Sequence, residues 1–152
     1  MAVFRATRDH ARLVASLLEA FNAEFETSTP PLDVLERRFA SLLDGDDTFV
    51  LIAGEPQSPI GFALVTLRPT PYYDGPVATL DELYVIPSLR DRGHGTELIR
   101  AMMQELRQRA CGEIHINVDE GDVDTRRFYE SHGFTNVEPE RDERMLCYLQ
   151  EL

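Results

Sequence analysis

Apolar side chains recur three and four residues apart in three long stretches of this chain. Leu13, Val14, Leu17, Leu18, Phe21 and Phe25 form one stripe, which predicts a helix opened by Thr7 or Asp9 and broken by the proline-rich residues 27–31. Leu32, Leu35, Phe39, Leu42 and Leu43 form a second, with Gly45 placed to end it. Leu98, Ile99, Met102, Met103 and Leu106 form a third, predicted to run to about residue 110 with Gly112 just beyond. Runs rich in β-branched and aromatic residues, bounded by turn formers, predict strands over 2–6, 48–53, 60–68, 77–85 and 113–118. Residues 134–137 and 144–149 read as a closing hairpin, and an acidic turn at 119–124 leads into a short helix ending at Gly133. The order predicts an α+β fold, a mixed central sheet of about seven strands flanked by about four helices, in a single domain over 1–152.

Composition narrows the possibilities. A chain of 152 residues with 43% hydrophobic and 28% charged residues is ordinary for a globular domain. No apolar run nears the roughly 20 residues of a membrane span, and Met1 to Arg5 reads as a strand rather than a leader. Cytoplasmic is the expected location. Cys111 and Cys147 lie far apart and belong to no metal-like cluster, and His10, His94, His115 and His132 lack ligand spacing, so no metal is expected. The net charge of −12 argues against a nucleic acid and suits a cationic small molecule. Every basic residue is arginine, which excludes lysine-based Schiff-base and P-loop chemistry.

The densest chemical signal runs from Leu80 to Leu98. A β-prone strand ends at Pro87, and Arg90-Asp91-Arg92-Gly93-His94-Gly95-Thr96 then leads into the third helix. Glycines let the backbone turn tightly and approach a ligand closely. A helix start presents unpaired N–H groups and a positive dipole end, which together favour an anion. A dinucleotide fingerprint would need a third glycine where Leu98 stands, and a P-loop would need a lysine.

Arg90-x-x-Gly93-x-Gly95, with Leu83-Tyr84-Val85 ahead of it, resembles the acetyl-CoA signature of the GNAT N-acetyltransferase superfamily. Phe128-Tyr129 with Gly133-Phe134 is similar to that family's second signature, and the element order matches as well. The resemblance implies acetyl-CoA as acyl donor and a primary amine as acceptor, by direct transfer. It implies that Leu83, Tyr84 and Val85 bind the pantetheine arm, with a backbone N–H polarising the thioester. The pyrophosphate would lie on residues 90–96, and Tyr129 would protonate the departing thiolate.

An ammonium with a pKa of about 10 must lose a proton before it can attack. Asp81 and Glu82 on the key strand are the candidate bases, Glu82 preferred. Neighbours on a strand face opposite ways unless a bulge intervenes, so only one is expected in a cleft. Asp119 and Asp122, in a turn that resembles aminoglycoside 3-N-acetyltransferases, are candidates for binding the acceptor, as are Tyr72 and Glu24. Two alternatives share this fold: a protein or peptide N-acetyltransferase, and a non-catalytic acetyl-CoA-binding sensor. A homodimer is also compatible with the sequence.

Overall fold

The computed structural model describes residues 2–152, so Met1, the first residue of the expected opening strand, lies outside the described residues. The chain divides into two compact units, Met1–His115 and Ile116–Leu152.

The first unit holds β1 (Val3–Arg5), α1 (Ala11–Glu24), α2 (Leu32–Asp44), β2 (Thr48–Glu55), β3 (Ser58–Arg68), β4 (Val77–Val85), α3 (His94–Gln108) and β5 (Glu113–His115). The strands form one sheet in sequence order, antiparallel from β1 to β4, with β5 added parallel to β4. The sheet is mixed, as the element order implies. β2 is buried along nearly its whole length because both of its faces are covered. Alternation along the strands sets the two faces. Val50, Ile52, Phe62 and Tyr84 form a core with Val14, Leu17, Leu35 and Phe39 of α1 and α2. The out-of-phase residues Phe49, Leu51, Ala63, Val65 and Leu80 are buried as well. They take the other face, where α3 packs across β2, β3 and β4 and buries Leu98, Ile99, Met102 and Leu106.

The second unit holds α4 (Val123–Ser131). Asp122 caps its start by accepting from Thr125 N–H at 3.2 Å. Gly133 at φ 88° ends it as expected, and Phe134 N–H reaches back to the Tyr129 carbonyl at 3.2 Å.

Three expectations need correction. The closing hairpin reduces to one isolated antiparallel bridge between Val137 and Arg144. Among the described residues the sheet therefore has five strands rather than about seven. Leu146, Tyr148 and Leu149 are 68–89% exposed; a strand-like pattern with no layer to bury against does not form a ladder. The strand expected over 113–118 stops at His115. The third helix ends at Gln108, two residues early, because Ala110 takes the left-handed conformation at φ 54° and Cys111 N–H closes onto the Leu106 carbonyl at 3.0 Å. Among the described residues, no helix is long and apolar enough to cross a membrane.

Candidate active site

The ladder between β3 and β4 is regular except at one place. Leu64 faces Glu82 and Val65 faces Leu80, which leaves Asp81 as the extra residue of a β-bulge. Glu82 lies two residues from Tyr84, so both point to the α1 and α2 face. The bulge turns Asp81 toward that face too: Thr66, two residues from Leu64, donates its hydroxyl to Asp81 Oδ2 at 2.7 Å. The two carboxylates are therefore neighbours on one side of the sheet rather than facing apart. Burial together with the Asp81 charge raises the Glu82 pKa to about 7. Asp81 is exposed as a residue, yet its carboxyl lies against the sheet. Desolvation raises its pKa despite the Thr66 hydrogen bond, which acts the other way.

Downstream of the bulge, β4 has an open edge. It pairs with β3 as far as Val85 but with β5 only over Val77, Ala78 and Thr79. Ile86 N–H bonds the Ile60 carbonyl, so it points toward β3. Alternation then directs the amide and carbonyl groups of Leu83 and Val85 to the open edge, and those of Tyr84 toward β3. An extended ligand can add to that edge as a strand would. Tyr84 itself is 4% exposed and stacks on Phe21 at 5.1 Å between centroids. Its ring belongs to the core, and its place in the signature is occupied by packing.

The loop after β4 carries two left-handed residues, Asp91 at φ 60° and Gly93 at φ 86°, the second acting as the α3 N-cap. Left-handed Gly93 followed by right-handed His94 makes successive N–H groups converge, a nest suited to an anion. Among the described residues, the backbone N–H groups of Arg92, Gly93, His94 and Gly95 have no protein acceptor, and Glu97 N–H bonds the Gly93 carbonyl at 3.0 Å. A Cβ added at Gly93 would meet nothing within 4 Å, so it is the left-handed backbone and not crowding that favours glycine there. Two buried polar atoms in the first turn, His94 Nδ1 and Glu97 Oε2, have no partner among the described residues.

The two arginines of the loop differ. Arg92 is exposed and, among the described residues, has no side-chain partner. Arg90 instead donates from both terminal nitrogens to the two Glu24 oxygens, at 2.6 Å each, and from Nε to the Val85 carbonyl at 2.9 Å. Its guanidinium also lies over the Tyr84 ring, 5.8 Å from the centroid. Glu24 and Arg90, expected to serve acceptor and cofactor separately, thus hold each other.

Within the first unit, Tyr72 lies apart from this cluster. Tyr72 is 86% exposed on the connection leading to Val77, the opposite end of a nine-residue strand from Val85. At roughly 3.3 Å per residue that is more than 20 Å away. In the second unit, Tyr129 is 8% exposed between Phe128 and Phe134, at 5.3 and 5.7 Å. Asp122 caps α4, and Asp119 is an exposed turn residue whose carbonyl accepts Asp122 N–H at 3.1 Å. Thr66 and Phe21 are the contributors that sequence reasoning missed. Phe21 was legible only as one apolar residue of a stripe, and Thr66 carries no local signal, because its role depends on register with a strand 15 residues on.

Comparison with known proteins agrees with this architecture. A family model described as the acetyltransferase (GNAT) family matches residues 12–134. A crystal structure of a protein from Arthrobacter sp. FB24, named as a candidate acetyltransferase, superposes with a TM-score of 0.93 at 47% identity, covering 100% of this chain and 96% of that one. Aminoglycoside N-acetyltransferase AAC(6')-Iy in complex with CoA superposes at 0.78 with 22% identity, covering 99% and 95%, a likeness of fold. Aminoglycoside N(6')-acetyltransferase type 1 of Klebsiella aerogenes is 35% identical over 91 residues, 58% of this chain. The chain spans 60% of the length of that curated relative. The position named in these relatives is 6', where the acidic turn resembled enzymes acting at position 3.

Proposed function

The chain belongs to the acetyltransferase (GNAT) family, and on that premise we propose that it transfers an acetyl group from acetyl-CoA to a primary amine of a small cationic molecule. An aminoglycoside or polyamine-like amine is the acceptor class. The observation that carries this reading is the continuity of β4: one strand presents a carboxyl titrating near neutrality, then an open edge, then a nest of unpaired N–H groups.

The roles follow from chemistry. Leu83 and Val85 hold the pantetheine arm by strand addition, and an N–H of that edge stabilises negative charge developing on the thioester oxygen. The amides of residues 91–96 and the Arg92 side chain take the pyrophosphate. Glu82, with Asp81 beside it, accepts the proton that the acceptor ammonium must lose. The free amine forms the new C–N bond, the C–S bond breaks, Tyr129 supplies the proton that makes the departing thiolate a thiol, and the second proton shed by the nitrogen as it becomes an amide returns to Tyr129 through solvent. Asp119 and Asp122 are acceptor contacts in this reading, from which Tyr72 is left out by its place at the far end of β4, and the reaction is set in the cytoplasm.

The test measures free thiol released from acetyl-CoA against a panel of an aminoglycoside, a polyamine, a lysine-containing peptide and a neutral amine. Turnover with the cationic small molecules ahead of the peptide is expected. Peptide preference would move the protein to the peptide-acetylating alternative. Tight acetyl-CoA binding with no turnover on any amine would make it a sensor.

A further inference from the structure

We propose that Glu24 and Arg90 are a positioning pair that braces the anion loop from the end of α1 and touches no phosphate. The inference deepens the transferase reading and rests on it. Three of the five guanidinium N–H donors are committed, two to Glu24 and one to the Val85 carbonyl. The fork-to-fork geometry on Glu24 is the strong, directional form of the ion pair. The Tyr84 ring under the guanidinium removes a further direction of movement. For Arg90 to reach a pyrophosphate it would have to leave a carboxylate, a carbonyl and an aromatic face together. Arg92, two residues on, needs to leave nothing.

The brace joins three elements whose relative placement sets the cofactor slot. Val85 is the last residue of β4, and its carbonyl lies on the open edge. Arg90 begins the loop that ends in the Gly93 nest. Glu24 is the last residue of α1, anchored below by Phe21, which stacks on the Tyr84 ring. Asp91, immediately after Arg90, already sits in the left-handed region at φ 60°, where a residue other than glycine needs its surroundings to hold it. Fixing the Arg90 side chain on both sides supplies that hold. The loop is thereby ordered before the cofactor arrives, and less ordering is left for binding to offset.

The test is a double-mutant cycle on the full chain, with E24Q, R90Q and the double variant titrated with acetyl-CoA by calorimetry and assayed at steady state. Each single change should raise the acetyl-CoA Kd and KM by about three- to tenfold. The double variant should lose no more than the worse single one, because both remove the same brace. kcat at saturating acetyl-CoA should stay within about twofold, a split that general unfolding would not produce. R90K should behave like R90Q, since an ammonium keeps the charge but cannot bridge two carboxylate oxygens and a carbonyl in one plane. Should E24Q fold poorly, as judged by its unliganded Tm, E24D keeps the charge one methylene shorter and should give an intermediate Kd. Weakened binding in R90Q, with E24Q unchanged or tighter and R90K restored, would make Arg90 a direct phosphate ligand and overturn the proposal. Additive losses would do the same. A wild-type protein that binds no acetyl-CoA would sink the transferase reading itself, whereas wild-type binding with an unaffected E24Q sinks only the brace.

Discussion

A carboxyl that titrates near 7 can take a proton from an ammonium and give it to water at the same pH, which is what a turnover base needs. Glu82 is in that range because burial and the Asp81 charge both disfavour its ionised form. kcat/KM should therefore rise with pH through about 7 and level above it. Glu82→Gln should lower kcat by about 10² or more and flatten that limb; a retained limb would pass the role to another group. The same shift is a statement about stability. The folded protein binds the Glu82 proton more tightly than the unfolded chain, whose carboxyl titrates near 4.5. Stability linked to this proton is complete below about 4.5 and is lost as pH rises through about 7. Denaturant titrations at pH 5 and 8 should then show Glu82→Gln gaining relative to wild type at the higher pH. Tyr129→Phe is the complementary test: if Tyr129 gives the thiolate its proton, kcat should fall while the acetyl-CoA KM holds, and an unchanged kcat would leave it a packing residue between Phe128 and Phe134.

The bulge in β4 gives a sharper test at the level of the element. Asp81 is the extra residue, so deleting it leaves Leu80 and Glu82 consecutive and keeps Glu82, Leu83 and Tyr84 on their present faces. The deletion should fold, and it should pull the Glu82 pKa down toward the ordinary carboxylate range, shifting the activity limb to lower pH. Gly61, across the ladder from Val85, is fixed for a different reason. A Cβ there would lie 2.1 Å from the Tyr84 carbonyl oxygen, so Gly61→Ala should part the two strands at a cost of roughly 1–3 kcal/mol, read as a lower Tm. These features mark the limit of what was legible in the chain. The α1, α2 and α3 stripes and the β2 to β4 runs stood out because each repeats its period over many residues. Gly93 and Gly133 were legible because left-handed backbone favours glycine. The Asp81 bulge was only a stated exception, since register belongs to a pair of strands and not to one. Glu24 and Arg90, 66 residues apart, could not be matched by any local pattern. Residues 145–149 are a strand-like apolar run that continues past the single Val137–Arg144 bridge without extending it into a ladder, so composition overstated the sheet there.

At the scale of the whole molecule the charge of −12 would act in opposite senses on the proposed cationic acceptor and on acetyl-CoA. A cationic amine is drawn in by that field, while an acyl donor carrying phosphates approaches against it and is rewarded only by the local nest and Arg92. Salt screens both effects over a distance of roughly 10 Å at 0.1 M and 30 Å at 0.01 M. Raising ionic strength from about 0.01 to 0.3 M should therefore raise the KM of a polycationic acceptor several-fold and leave a neutral amine unmoved. The KM of acetyl-CoA should stay level or fall over the same range, because screening the protein's overall charge offsets the weakening of its contact with Arg92. Parallel increases in both constants would mean that local basic residues dominate donor binding. An acceptor KM indifferent to salt would show that the acidic surface serves solubility alone, and the search for the natural amine would then turn to neutral compounds.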